Sequence, residues 1–317
     1  MSSWYIAYGQ LRITGQASSA YIKANNGYSQ YAVNHGRQTF AWRLDLFGDA
    51  TISENIFFLS NIRVLQDQIF HVDLLELKVT DIASTGLNVE MGEIEIPFGN
   101  LGERRFPKSN PFYDLPLMNE HLTTLRSSDY QVWPTDDRYT TNENGVHILD
   151  HGLYDLGVKL SGSFGIFDYW VAIINGMVSA TSTYSSNYGS SGLNPKSGIG
   201  TVVRISATPF TGLTLGNSFA RGSFLREDIS YAVSSEYDPS NMPQNAYEGD
   251  FDFSLGHTVL SGQVVYSEWA FKNELGSDLK TVGYTFEGRY TPVPRPAVYL
   301  KDLMITYEPP EKAFMAD

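Results

Sequence analysis

The chain has 317 residues, long enough for one large β-unit or two ordinary domains, with 14% aromatic residues, 28 glycines and only 18% charged residues. A net charge of −13 excludes the basic footprint that nucleic-acid binding needs, and the absence of cysteine excludes disulfides, thiolate metal sites, a cysteine nucleophile and cysteine-attached haem. No run of about 18 apolar residues exists, so no membrane-crossing helix is expected.

Mean hydropathy is slightly negative. Many aromatics and glycines, few charges and no net hydrophobicity fit a chain in which apolar residues alternate with polar ones. A transmembrane barrel needs that pattern, with one face in lipid and the other in water.

Along the chain, Met1-Ser2-Ser3-Trp4 carries neither the charged nor the apolar region of a signal peptide, so a leader, if there was one, was removed or lies upstream. Residues 1–10 read as an N-terminal periplasmic segment. Period-two alternation then dominates. Phe40, Trp42, Leu44 and Leu46 interleave with Thr39, Ala41, Arg43 and Asp45; Tyr154, Leu156, Val158 and Leu160 interleave with Asp155, Gly157, Lys159 and Ser161. The same holds for Tyr247 to Leu255 and for Val282 to Tyr290. Such spacing puts one set of side chains on each face of a strand.

The pattern predicts an all-β, antiparallel transmembrane β-barrel of about 13 visible strands, with 12–16 expected. They lie near residues 11–23, 38–49, 54–65, 69–81, 86–96, 153–162, 166–176, 197–208, 212–224, 246–255, 258–271, 279–290 and 296–307. Segments of this length suit tilted membrane strands and exceed the five or six residues usual in soluble sheets. Strands 54–65 and 69–81 alternate poorly.

Short connections near Ser53, Ser84, Ser163–Gly165, Pro209–Gly212, Gly256 and Pro292–Arg295 alternate with long ones at 24–37, 97–152, 177–196 and 225–245. Short turns on one side and long loops on the other is the outer-membrane arrangement. The short link near Gln66–Gln68 is the exception. The barrel is expected over 11–307, with 308–317 as tail or loop. Because single-chain bacterial barrels have even strand counts, thirteen means either a miscount by one or closing strands that this sequence lacks.

The most informative segment runs Gly92-Glu93-Ile94-Glu95-Ile96-Pro97-Phe98-Gly99-Asn100 and continues through Asn110-Pro111-Phe112-Tyr113. With the later Asp155-Leu156-Gly157-Val158-Lys159-Leu160-Ser161-Gly162 and Val171-Ala172-Ile173-Ile174-Asn175-Gly176, it resembles porins of Gram-negative bacteria, including the phosphate-selective porin-like group. The motif resemblance covers about residues 86–176. It implies a barrel of about sixteen strands, passive solute passage and an inward loop. No lysine or arginine ladder is present to carry phosphate selectivity over.

The pore lining is expected from the polar face: Arg43, Asp45, Asp73, Glu90, Asp155, Lys159, Arg204, Glu248, Asp250, Asp252, Glu287 and Arg289. Acids outnumber bases among them, which favours cations if they line a water-filled pore; the plainer reading is that they pair across strands. The 97–152 loop carries Arg104, Arg105, Lys108, Asp114, Glu120 and Arg126, a mixed charge suited to an inward constriction.

His147 and His151 are four apart, a metal-ligand spacing on a helix, but the next strand begins almost at once, and Glu227, Asp228, Glu236 and Asp238 show no EF-hand spacing, so both groups read as loop residues. Tyrosine and tryptophan near strand ends, including Trp170, Tyr266, Trp269 and Tyr290, read as interfacial girdles. No catalytic residue, metal or cofactor is expected.

The leading functional expectation is an outer-membrane diffusion channel, not an enzyme. Its partners are outer-membrane lipid and small ions or solutes, with a homotrimer or a partner protein in the lumen left open. Two alternatives stand beside it: a barrel sheath around a partner such as a multihaem electron carrier, and a soluble β-sandwich that binds carbohydrate.

Overall fold

The structure is a computed structural model that describes residues 10–23, 38–65, 70–102, 106, 115–120, 148–150, 153–179, 199–224, 243–270, 278–291 and 298–308. Alternating sequence becomes thirteen strands: β1 (Gln10–Lys23), β2 (Gln38–Ser53), β3 (Ile56–Leu65), β4 (Phe70–Val79), β5 (Asn88–Glu95), β6 (Tyr154–Phe164) and β7 (Phe167–Ile174). They continue as β8 (Gly200–Phe210), β9 (Leu213–Ser223), β10 (Pro243–Leu255), β11 (Thr258–Trp269), β12 (Leu279–Tyr290) and β13 (Val298–Glu308). One helical turn, α1 (Leu117–Glu120), lies between β5 and β6.

All thirteen strands form one antiparallel sheet in which every strand pairs with its sequence neighbours. No pairing among the described residues joins β1 to β13. The expected strands are recovered to within a few residues at most ends. β2 is the main extension, running on to Ser53. The link at 66–69 lies outside the described residues.

The sheet is built inside out. On β6, Leu156, Val158 and Leu160 are exposed while Lys159 and Ser161 are buried. On β8, Val203 and Ile205 are exposed while Arg204 and Ser206 are buried. On β10, Tyr247 is exposed while Glu248 and Asp250 are buried. An apolar outer face and a polar inner face reverse the arrangement of a soluble sandwich and suit a sheet with lipid outside it.

Two bands of aromatics bound the outer face. At one end Phe219, Tyr247 and Tyr266 occupy directly opposed positions on β9, β10 and β11, with ring centroids 5.1 and 6.2 Å apart. At the other end Phe164, Phe210 and Tyr290 are exposed beside the short turns. Phenyl and phenol rings favour the boundary between hydrocarbon and water.

The sheet curves with its polar face concave. Ile96 donates its backbone N–H to Leu153 O, which fixes it beside the ends of β5 and β6. Gly99, four residues past the end of β5, donates its N–H to Ser218 Oγ on β9 and lies against the Gln263 amide on β11. Four residues reach at most about 14 Å. Six strand spacings of about 4.8 Å separate β5 from β11 in a flat sheet, about 29 Å. The Gln263 side chain closes only a few ångströms of that gap, so curvature supplies the remainder.

Two local features break the alternation of β3 and β4. The β3–β4 register shifts between Asn61 and Ile62, where β4 carries one extra residue. A bulge of this kind reverses the facing of everything beyond it. Asp73 and Glu76 are therefore both buried although three residues apart. In β5, Gly92 holds φ +122°, and a side chain there would run into the carbonyl of Leu75.

Candidate functional site: the inner wall and the inward segment

Among the described residues the inner face carries three enclosed clusters of ion pairs, which span β2–β4, β4–β6 and β8–β10. On β2–β4, Arg43 Nε contacts Asp45 Oδ2 at 2.6 Å, Arg63 Nε contacts Asp45 Oδ1 at 3.3 Å, and Arg63 Nη2 contacts Asp73 Oδ2 at 2.6 Å. Asp45 and Arg63 stand directly opposite each other across β2 and β3. Such directly opposed side chains are the units that stabilise a sheet.

On β4–β6, Lys78, Glu90 and Lys159 occupy one row of opposed positions. Lys78 Nζ lies 2.9 Å from Glu90 Oε1, and Lys159 pairs with the other carboxylate oxygen. Lys159 also donates to Glu95 O at 3.1 Å.

The third cluster is the most enclosed. Arg204 on β8 donates to Asp250 Oδ2 at 2.6 Å, to Asp250 Oδ1 at 3.0 Å and to Glu248 Oε2 at 3.3 Å. It also donates to Ser218 Oγ at 2.9 Å. Gly216 leaves room for this pair, because a β-carbon there would meet the Arg204 guanidinium and the Asp250 carboxylate and displace them. The Arg204 guanidinium also lies 6.0 Å from the Trp170 ring.

Segments from between the strands fold onto this wall. Asn100 Nδ2 donates to Asp252 Oδ2 at 3.1 Å and to Phe251 O at 3.4 Å. Asp252 also accepts the Ser261 hydroxyl. Phe106 reaches the other side: its ring meets Phe47 on β2 edge-on at 5.1 Å, with the Arg43 guanidinium 5.8 Å away.

Toward the long-loop end the inner face turns apolar. Ile94, Ile174, Val202, Val265 and Trp269 from the wall pack with Phe98, Met118, Leu149 and Val178 from the inward segments. Backbone bonds tie these layers together, Leu149 N–H to Met118 O at 3.1 Å and Asp150 N–H to Val178 O at 2.5 Å. Ser179 Oγ donates to Gln244 Oε1 at 2.6 Å and accepts the Trp269 indole N–H at 3.4 Å.

Of the residues singled out from sequence, Arg43, Asp45, Asp73, Glu90, Lys159, Arg204, Glu248, Asp250 and Asp252 all enter these contacts. Asp155 is fully buried, and its carboxylate accepts the N–H of Leu156 at 2.8 Å. Glu287 and Arg289 share the inward parity of Thr285 but lie near the short-turn end of β12, where Arg289 is exposed. Arg104, Arg105, Lys108, Asp114 and Arg126 lie outside the described residues, as do His147, His151, Glu227, Asp228, Glu236 and Asp238. Glu120 is the last residue of α1. Among the described residues no group of three or more histidines or carboxylates is arranged to hold a metal ion.

Two expectations are corrected. Trp170 and Trp269 do not join the outer aromatic bands. Trp170 has the inward parity of Ala172 and Ile174, and Trp269 that of Val265 and Ser267, so Trp170 stacks near Arg204 and Trp269 is buried in the inner apolar layer.

Sequence reasoning missed Arg63, Glu76, Lys78, Ser218 and Gln263 on the wall, and Asn100 and Phe106 on the segment. Arg63 could have been found from its two-residue spacing to Asn61. Glu76 and Lys78 could not, because the bulge inverts their parity.

The fold is therefore that of the outer-membrane β-barrel class: an antiparallel, neighbour-paired sheet with apolar residues outside and paired charges inside. No protein-family model and no curated protein matches the chain. Among solved structures, an anion-selective porin from Comamonas acidovorans matches with a TM-score of 0.53 at 11% identity, over 95% of this chain and 80% of that one. The outer-membrane protein OmpT of Vibrio cholerae matches at 0.48 and 11% identity, over 96% and 78%. Salmonella typhi OmpF, in complex with daunomycin, matches at 0.45 and 10% identity, over 96% and 91%. At these identities the likeness concerns the fold, and the first of the three carries it.

Proposed function

We propose that this chain is an outer-membrane porin-like channel for passive diffusion of ions or small solutes, with residues 11–307 as the barrel and the segment 97–152 as its constriction. The observation that carries this reading is the inward segment. Gly99, Asn100 and Phe106 bond or stack against the concave face of a sheet whose convex face is apolar. A soluble carbohydrate-binding sandwich would bury the apolar face, not the charged one. A sheath around an electron carrier calls for an open lumen, and a segment bonded to its wall argues against that.

A mild cation preference accompanies the reading. Of the twelve charged residues expected on the wall, eight are carboxylates and four are cations. Carboxylate-rich linings favour cations. No side chain is assigned to bond-making chemistry.

The test is electrical. Purified protein added to a planar bilayer should give discrete conductance steps, and under a potassium chloride gradient the reversal potential should take the sign of cation preference. Steps with an anion-preferring reversal potential would keep the channel and remove the selectivity.

A further inference from the structure

We propose that Gly99, Asn100 and Phe106 act as a strut between two seats on distant strands of the inner wall, and that these seats, which contact them largely through uncharged groups, set the width of the passage. The inference rests on the channel reading and names the residues that hold its constriction in place.

The first seat is polar and lies on β9–β11. Ser218 Oγ accepts the Gly99 N–H at 3.1 Å while being held by Arg204 at 2.9 Å, and Asp252 accepts the Asn100 amide at 3.1 Å. The fit at Gly99 favours glycine. Its φ is +72°, and a β-carbon would strike the Gln263 amide and lie 3.6 Å from Glu248 Oε1. Any side chain there is both strained and blocked, so the seat recognises backbone. The second seat is aromatic and lies on β2, where the Phe106 ring meets Phe47 at 5.1 Å and an interplanar angle of 79°.

The two seats lie eight strands apart in sheet order, counted from β2 to β10. Six residues join Asn100 to Phe106, a reach of about 21 Å at most. The contacts at Asn100 and Phe106 therefore bring two distant parts of the concave wall within one short span of each other. Arg204, Asp250 and Glu248 then act as positioning residues for Ser218, in addition to any role as pore charges.

Two experiments decide this. The chain has no cysteine, so a pair introduced by mutation carries its only thiols. A short bifunctional thiol reagent should cross-link Asn100→Cys with Asp252→Cys. It should leave Asn100→Cys with Phe253→Cys unlinked, because Phe253 is the next residue on β10 and faces outward. Equal yields for both pairs, or none for either, would overturn the placement.

In single-channel recording, Asn100→Ala/Ser218→Ala removes two contacts and no charge, and Phe106→Ala empties the second seat. Each should raise mean conductance or add a second, higher level without changing the sign of the reversal potential. Ser163→Ala removes an exposed hydroxyl that bonds Asp168 beside the β6–β7 turn, on strands that form neither seat, and should conduct as the parent does. Parent-like conductance in both seat variants would remove the role assigned to the strut. A parent protein that folds but never conducts would remove the channel reading and that role with it, while the cross-link still reports where the segment sits.

Discussion

Replacing Arg204 with methionine tests the inner wall where it is most enclosed. Arg204, Asp250 and Glu248 are each 8% exposed or less, and the guanidinium is the donor between the two carboxylates. Methionine keeps most of the volume and removes every donor. Two carboxylates then remain side by side in a nearly dry site. Removing one partner of a buried ion pair costs about 3–5 kcal/mol, chiefly because the remaining charge is stranded. That is roughly a 10²- to 4 × 10³-fold loss in the folding equilibrium.

The assay is urea unfolding in lipid vesicles, followed by tryptophan fluorescence and by heat-modifiable gel mobility. The triple variant Arg204→Met/Glu248→Gln/Asp250→Asn strands no charge and should recover most of the loss. If Arg204→Met costs less than about 1 kcal/mol, the cluster behaves like a solvated surface pair and the enclosed wall described above is wrong. If the triple variant is no better than the single one, the cost arises from packing and not from charge.

Two further substitutions separate the outer face from the inner layer. Leu215→Arg places a charge on the outer face between the aromatic bands and should cost about 2–4 kcal/mol in vesicles, whereas Thr214→Arg, one residue away on the inner face, should cost far less. Similar costs at both positions would contradict the assignment of faces. Trp269→Ala removes a fully buried indole and its bond to Ser179, and should lower stability by about 3–5 kcal/mol in the same unfolding assay.

Much of the fold was legible because a strand in lipid must alternate along its whole length. The run from Leu156 to Ser161 assigns each of its residues to a face without any knowledge of its neighbours, whereas Tyr154, which shares the parity of Leu156, is buried. Pairing partners follow for meandering strands, since each strand pairs with the next. Asp45 and Arg204 were found on that basis alone. The residues that were missed share physical causes. Glu76 and Lys78 follow a bulge that shifts parity by one, which only the register of the partner strand reveals.

Ser218 and Gln263 are small or uncharged residues that matter because another segment lands on them. Gly99 and Asn100 belong to a loop whose partners lie 119 and 152 positions further along the chain. No periodicity encodes such contacts. The tryptophans were misplaced for a related reason: residue type favours an interface, but parity decides the face. Parity at Trp170 and Trp269 was readable from Ala172, Ile174, Val265 and Ser267.

The measurement that bears most directly on the central claim is current across a planar bilayer with the folded parent protein and no partner added. Discrete, voltage-stable conductance steps whose number grows with protein concentration are predicted. Insertion of folded, heat-modifiable protein into the same bilayer with no current above that of lipid alone would contradict the account.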